Sequence, residues 1–153
     1  MYSFSERSRQ RLDECHEDLV TLMEHVIQYV DITISEGQRG KERQNRLYDK
    51  GATQVRWPNS NHNAGEGAGR AKSHAVDIVP HPFDGNDKSA DGIGWNNKAR
   101  FHYMGGIVLG VAHELHWRGE IDHEVRWGGD WKQDNNPANE SFYDGPHFEI
   151  VTD

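Results

Sequence analysis

Hydrophobic positions near the start of the chain recur every three or four residues. They are Leu12, Cys15, Leu19, Leu22, Val26 and Val30. This spacing lines one face of an α-helix. The pattern then changes to alternation over Asp31–Ser35, which is typical of a strand, and the flexible Gly37 follows. We therefore predict an amphipathic helix from Ser5 that leads into a strand, with Arg39 just beyond the strand's end.

The middle of the chain predicts a helix, a long loop and a buried strand. A second helix is predicted at about Lys41–Lys50, because Gly51 follows as a common helix-ending residue. The segment Trp57–Arg70 is rich in Asn and Gly and is predicted to be a loop. The run Ala75–Val79 is apolar except for Asp77, which indicates a buried strand carrying a carboxylate that needs a partner.

A long third helix is predicted to end near Gly119. Its apolar positions are Phe101, Met104, Val108, Val111, Ala112 and Leu115. Three glycines inside it, Gly105, Gly106 and Gly110, each lower helix propensity by about 1 kcal/mol relative to alanine. We expect close backbone packing on their side of the helix.

The last strands are predicted at Val125–Trp127 and His147–Val151, separated by a polar loop over Lys132–Glu140. Helices and strands alternate in an order that favours an α+β fold, with helices packed on one face of a small, mostly antiparallel sheet. A chain of 153 residues is long enough for one hydrophobic core. We expect residues 1–153 to form a single domain.

Composition excludes several classes of function. The net charge of -8 repels polyanions, so nucleic acid is a poor candidate partner. No run is long and apolar enough to insert into a membrane, and Met1–Gln10 lacks the apolar stretch of a signal peptide, so we expect synthesis in a cytoplasm. The lone cysteine, Cys15, excludes an internal disulfide and a multi-cysteine zinc site. Any metal must therefore be held by carboxylates and by some of the ten histidines.

Four side chains on this map can form a catalytic site: His62, Asp77, Asp144 and His147. Two imidazoles and one carboxylate suit zinc and leave a fourth position for water. Such a site carries a charge of +1, which can lower the pKa of the bound water to about 7. Asp144 precedes His147 across a Gly-Pro turn and can take the proton of that water as a general base.

Five short segments resemble one known family and follow its order along the chain. They are Glu36–Arg39, Ser60–Asn63, Ala75–Pro80, Arg126–Trp131 and Asp144–Glu149. The family is that of zinc D-alanyl-D-alanine carboxypeptidases and L-alanyl-D-glutamate endopeptidases, which includes bacteriophage endolysins and vancomycin-resistance dipeptidases. It shares its fold with hedgehog signalling domains. The resemblance implies that His62, Asp77 and His147 bind Zn²⁺ and that Asp144 is the catalytic base.

The resemblance also implies roles around the metal. Arg39 matches an arginine that faces the substrate carbonyl in the family, where a fixed cation stabilises an oxyanion. Ser60 matches a serine associated with substrate binding. We interpret Trp127, Asp130 and Trp131 mainly as structural residues or pocket wall, with Trp127 and Asp130 as candidate substrate contacts.

The implied function is zinc-dependent cleavage of the peptidoglycan stem peptide by an endolysin. An Asp at the base position resembles the endopeptidase branch, so the L-Ala-D-Glu bond is the first choice and D-Ala-D-Ala carboxypeptidase activity the second. We expect a monomer that is made in the host cytoplasm and acts on the cell wall after release. The alternative of a different class is a non-catalytic metal-binding recognition module. The presence of Asp144 favours the enzyme.

Two assignments of histidines remain open from the sequence. Fourteen residues separate His62 from Asp77, more than in the family's compact form, and this admits His74 as a rival ligand. We prefer His62, because an odd spacing in a strand points His74 and Asp77 to opposite faces. His113 and His116 are three residues apart and do not match the His-Glu-x-x-His zinc motif, so we expect them and His123 to be polar-face and loop residues and not metal ligands.

Overall fold

A computed structural model describes residues 1–152 as four helices and a four-stranded sheet. In chain order the elements are α1 Glu6–Leu12, α2 Glu17–Val26, β1 Ile32–Glu36, α3 Lys41–Asp49, β2 Ala75–Pro80, α4 Lys98–Trp117, β3 Val125–Trp127 and β4 His147–Ile150. A short 3-10 turn at Pro137–Asn139 lies in the loop before β4. None of the helices in the described residues combines the length and apolar character that crossing a bilayer requires.

The sheet is antiparallel throughout, with strand order β1-β2-β4-β3. Helix α1 packs against β1, helix α4 packs against β2 and β3, and α2 packs against α4. The buried side chains of these elements form one hydrophobic cluster. The α+β fold predicted from the sequence is therefore confirmed.

The two faces of the sheet have different characters, because successive side chains of a strand point to opposite sides. Val76 and Phe148 are paired across β2 and β4 and lie fully buried in the core. The next pair, Asp77 and His147, must face the other side. Glu36 of β1 pairs with Asp77 in turn, so three polar residues form one row across three strands. This polar row lies on the side of the sheet that faces away from the core.

The prediction of one continuous first helix is wrong, because the chain breaks between α1 and α2. Cys15 forms an isolated bridge with Ser73, and the backbone N–H of His16 donates to the Ser73 carbonyl at 2.8 Å. The side chain of His16 then caps α2 by accepting from the N–H of Asp18. The predicted apolar face is still buried, because both helices turn the same stripe toward the core.

The glycines of α4 differ in their surroundings. A Cβ atom on Gly105 would lie 2.6 Å from Cζ2 of the buried Trp127, so this glycine lets the helix approach β3 closely. A Cβ atom on Gly106 or on Gly110 would meet no neighbouring atom within 4 Å. The expectation of close packing is confirmed at Gly105 and wrong at the other two.

These glycines give a matched stability test. The Gly105→Ala change is expected to lower the free energy of unfolding by about 1 kcal/mol, because overpacking costs about 1–3 kcal/mol and the gain in helix propensity recovers about 1. The Gly110→Ala change is expected to raise it by about 0.5–1 kcal/mol, since the added methyl meets open space. Urea denaturation of the two variants measures both. Equal effects would contradict the packing of α4 on Trp127.

Candidate active site

Three side chains from distant parts of the chain converge on the polar face of the sheet. Nε2 of His62 lies 3.1 Å from Oδ1 of Asp77 and 3.2 Å from Nδ1 of His147. Nδ1 of His147 lies 3.3 Å from the same Asp77 oxygen. The strand register brings Asp77 and His147 together, while His62 arrives from the loop between α3 and β2.

The loop carrying His62 is held by hydrogen bonds to the segment after β1. Nδ1 of His62 donates to the carbonyl of Gly37 at 2.8 Å, and the backbone N–H of Arg39 donates to the carbonyl of His62 at 2.8 Å. The buried amide of Asn63 donates to the carbonyl of Arg39 at 3.1 Å. A Cβ atom on Gly37 would clash with the carbonyl oxygen of Arg11, so only glycine allows this backbone position.

His147 is oriented by a carboxylate on its own strand. Its Nε2 donates to Oε1 of Glu149 at 2.7 Å, and the other Glu149 oxygen accepts from Arg126 of β3 at 2.6 Å. Burial opposes ionisation of Glu149, but the bonds from His147 and Arg126 lower its pKa to about 2. Glu149 is therefore a carboxylate that can only accept, and it fixes the proton of His147 on Nε2.

The protons of the two imidazoles are thus directed away from the centre of the cluster. The Gly37 carbonyl and the Glu149 carboxylate take one N–H each, which leaves His62 Nε2 and His147 Nδ1 with lone pairs in the neutral rings. Asp77 adds a carboxylate oxygen. Three electron-pair donors facing one another within about 3.3 Å repel each other unless a cation lies between them. The donor set fits a divalent metal ion.

The spacing of these donors also suits zinc. Four-coordinate zinc with bonds of about 2.0–2.2 Å places its ligand atoms ~3.3–3.6 Å apart. The observed separations of 3.1, 3.2 and 3.3 Å lie at or just below that range, so small side-chain movements suffice. The geometry of His62, Asp77 and His147 fits a metal ion.

The electrostatics of the cluster favour positive charge at its centre. Burial opposes a charge on His147, but hydrogen bonds to Asp77 and Glu149 outweigh it and raise the pKa of His147 to about 10. Burial likewise opposes the charge on Asp77, yet the two histidines hold its pKa well below the usual range. The cluster therefore favours one added positive charge at its centre. A proton on His147 supplies that charge when no metal is bound, and a bound metal cation supplies it otherwise.

Asp144 lies beside the cluster, three residues before β4. Its backbone N–H donates to the carbonyl of Gly128 at 2.8 Å, and its carbonyl accepts from the N–H of His147 at 3.2 Å. A Cβ atom on Gly128 would clash with the Asp144 carbonyl, so this glycine permits the close approach. Burial, and then the negative charge of Asp77, raise the pKa of Asp144. A half-buried carboxylate with a raised pKa is suited to accept and return a proton.

Arg39 is fixed next to the cluster by its own partners. Its guanidinium donates to Glu36 at 2.5 and 3.0 Å and to the buried Gln44 at 3.1 Å. One terminal nitrogen lies 3.9 Å from Oδ2 of Asp77, the oxygen that does not face the histidines. Glu36 also binds Arg43. These contacts hold a cation in place before any substrate arrives, as electrostatic stabilisation requires.

Two clefts meet at this site. One has a volume of about 550 Å³ and contains His62, His147 and Trp131 in its wall. The second, of about 480 Å³, is lined by Asp77 and by aromatic residues. Arg39 and Asp144 border both clefts. An extended ligand can therefore lie on either side of the metal-binding cluster.

The remaining predicted site residues lie in different surroundings. Ser60 borders the larger cleft, but its Oγ accepts from the backbone N–H of His62, so it also shapes the loop. Trp127 lies in the core with its indole N–H bonded to the Gly145 carbonyl, borders none of the described clefts, and so supports the site from beneath. Asp130 is buried, and its two oxygens accept backbone N–H groups of its own loop.

The rival ligand His74 lies outside the cluster. Its side chain packs against His16, with the ring centroids 5.7 Å apart, and its backbone N–H bonds the carbonyl of Asn61. The intervening loop is compact, since the N–H of Gly65 donates to the carbonyl of Arg70 at 2.8 Å. The structure thus brings His62, and not His74, to Asp77.

Comparison with known proteins identifies the family. The family described as phage L-alanyl-D-glutamate peptidase matches residues 1–151. The chain belongs to this family. It is an L-alanyl-D-glutamate peptidase, and its substrate is the peptidoglycan stem peptide.

A solved structure agrees with this assignment. The crystal structure of Serratia marcescens L-Ala D-Glu endopeptidase ChiX is 26% identical to the peptidase over 99% of this chain and 90% of that chain, with a TM-score of 0.68. No curated protein sequence matches the peptidase. The fold and the family thus agree with the resemblance found in the sequence motifs.

Sequence reasoning did not assign a role to several residues that organise the peptidase site. Glu149 and Gly37 orient the two imidazoles, and Glu36 holds Arg39. One signal was present: Glu149 follows His147 by two residues in an alternating strand, so both share a face. The contact of Gly37 with His62 is long-range and left no local pattern.

Glu149 gives a test of imidazole orientation. The Glu149→Gln change is expected to weaken metal affinity by about 10–100-fold, because an amide does not fix the tautomer of His147 as a carboxylate does. Competitive titration with a fluorescent zinc chelator measures the affinity. A Glu42→Gln variant, changed on the exposed surface of α3, serves as the control and should keep the native value. Unchanged affinity in Glu149→Gln would contradict the orienting role.

Proposed function

We propose that the peptidase hydrolyses the L-Ala-D-Glu bond with one Zn²⁺ ion held by His62, Asp77 and His147, and with Asp144 as general base. The single observation that carries this proposal is the convergence of three metal-ligating atoms at 3.1–3.3 Å beside a carboxylate of raised pKa. We propose further that residues 1–153 form one catalytic domain, which acts at the cell wall after release from the cytoplasm in which it is made.

Each residue around the cluster has a separate role in the proposed reaction. Zinc supplies a Lewis acid and allows a water molecule to ionise near neutral pH. Asp144 takes the proton of the attacking water and gives it to the leaving amide nitrogen. Arg39, held by Glu36 and Gln44, stabilises the negative charge that develops on the scissile carbonyl oxygen. Ser60 orders the loop that presents His62 to the metal.

The two clefts favour endopeptidase over carboxypeptidase action. A carboxypeptidase binds a free chain end, so one side of its site is closed. Here Arg39 and Asp144 border open clefts on both sides, which leaves room for peptide before and after the scissile bond. The L-Ala-D-Glu bond has substrate on both sides, the glycan beyond L-Ala and the rest of the stem peptide beyond D-Glu, as this arrangement requires.

The experiment is cleavage of a purified muropeptide followed by mass spectrometry. We expect a new amino-terminal D-Glu, loss of cleavage on treatment with 1,10-phenanthroline, and recovery on addition of one equivalent of Zn²⁺. Release of only the terminal D-Ala would establish the carboxypeptidase alternative. Binding of zinc and muropeptide without any cleavage would establish a recognition module. Cleavage that survives complete metal removal would refute the metal mechanism.

A further inference from the structure

A second group of metal-ligating side chains lies apart from the catalytic clefts. It consists of His16 at the start of α2, Asp18 in the first turn of that helix, and His123 in the loop between α4 and β3. One donor atom from each lies within 4.8 Å of the others. None of the three borders either cleft at Asp144. The catalytic mechanism does not use them.

The spacing of the imidazoles matches that of the catalytic cluster. The ring centroids of His16 and His123 are 5.1 Å apart and nearly perpendicular, while those of His62 and His147 are 5.0 Å apart. Two imidazoles that share a tetrahedral metal have centroids ~5 Å apart, given zinc–nitrogen bonds of about 2.0–2.1 Å. The second pair is thus already placed at the distance that one ion requires.

Asp18 contacts His123 directly, as Asp77 contacts His147 in the catalytic cluster. Asp18 is only 4% exposed, and its Oδ2 accepts the backbone N–H groups of Asp122 and His123 at 3.0 Å each. The same oxygen lies 2.7 Å from Nδ1 of His123. A carboxylate oxygen this close to an imidazole nitrogen provides two donors for one ion once the proton between them is displaced.

We propose that His16, Asp18 and His123 form a second binding site for a divalent transition metal such as Zn²⁺, distinct from the catalytic one. Two histidines and a carboxylate are the donor set that suits zinc. The ion would tie the start of α2 to the loop before β3, two segments that lie far apart along the chain. Since it binds only the folded state, it stabilises that state by linkage.

The second site is weaker than the first. Nδ1 of His16 accepts the N–H of Asp18 at 3.0 Å and so caps α2. Binding through this nitrogen gives up the cap, whereas at the catalytic cluster both imidazoles already direct a lone pair inward. Zinc therefore fills the catalytic cluster first and this site second.

Equilibrium dialysis against Zn²⁺ with metal analysis tests the proposal on the full chain. We expect two equivalents in the native protein, with the second bound at least about tenfold more weakly. The His16→Gln/His123→Gln double variant should bind one equivalent and keep its peptidase activity. The His62→Ala variant should keep the weaker equivalent. The His113→Gln variant, changed on the exposed surface of α4, is the matched control and should bind two.

NMR of the native protein gives a second readout that does not depend on a variant. Addition of the second equivalent should shift the amide signals of Asp122 and His123 and the ring signals of His16, while signals around His62 stay in place. One equivalent in the native protein, or a second that persists in the double variant, would overturn the second site and leave the catalytic proposal intact. If the His62→Ala variant alone loses the more tightly bound zinc, the result supports both the catalytic site and the second site.

Discussion

Replacement of Asp144 by asparagine is expected to lower kcat for stem-peptide cleavage by about 10²–10⁴-fold, the usual worth of a general acid-base residue. Asparagine keeps the size of the side chain but cannot take a proton from water. The raised pKa of the native carboxyl, caused by burial and by the charge of Asp77, supports a role in proton exchange. Single-turnover assays on purified muropeptide measure the chemical step.

Metal content separates this effect from a structural one. The Asp144→Asn variant should bind zinc as the native protein does, since Asp144 lies beside the cluster and is not among its three donors. An Asp134→Asn variant, changed in the exposed loop before β4, should remain active and serves as the control. A fully active Asp144→Asn protein would remove Asp144 from the mechanism.

The His62→Ala change is expected to abolish cleavage by removing one of the three donors of the catalytic cluster. Loss of the imidazole leaves Asp77 and His147 with one gap in their coordination, so tight zinc binding and activity should fall together. The backbone contact of this loop with Arg39 does not depend on the side chain and should persist. Metal analysis and the cleavage assay on the same sample measure both effects.

His74→Ala is the matched control for this prediction. His74 lies in the same inter-strand region but packs against His16, so the variant should keep the catalytic zinc and the activity. A result in which His74→Ala loses the tight equivalent and His62→Ala retains it would exchange their roles. Circular dichroism of both variants establishes that the comparison is between folded proteins.

The fold was predictable where a local pattern matched a local structure. The apolar run over Ala75–Val79 and the Gly51 stop produced elements that agree closely with β2 and α3. The break between α1 and α2 was not predictable, because the cause is a long-range bridge from Cys15 to Ser73. The periodicity continued through the break, since both helices bury the same face.

The candidate site was predictable in its residues but not in its geometry. Residue types and order indicated His62, Asp77, Asp144 and His147, and the structure brings the two histidines to Asp77. Strand register, which decides that Asp77 faces His147, depends on pairing between segments that are distant in the chain and leaves no trace in either one. The orienting hydrogen bonds depend on the same tertiary arrangement.

With zinc bound as proposed above, the pairing of Asp77 with His147 across two neighbouring strands makes zinc uptake a measure of correct assembly. A slip of β4 by one position would turn Phe148 outward and His147 into the interior, and the ion would have only two anchors left. Refolded material can therefore be graded by its tightly held metal before any enzyme assay. We expect a sample that contains secondary structure yet retains no zinc to be mispaired at the centre of its sheet.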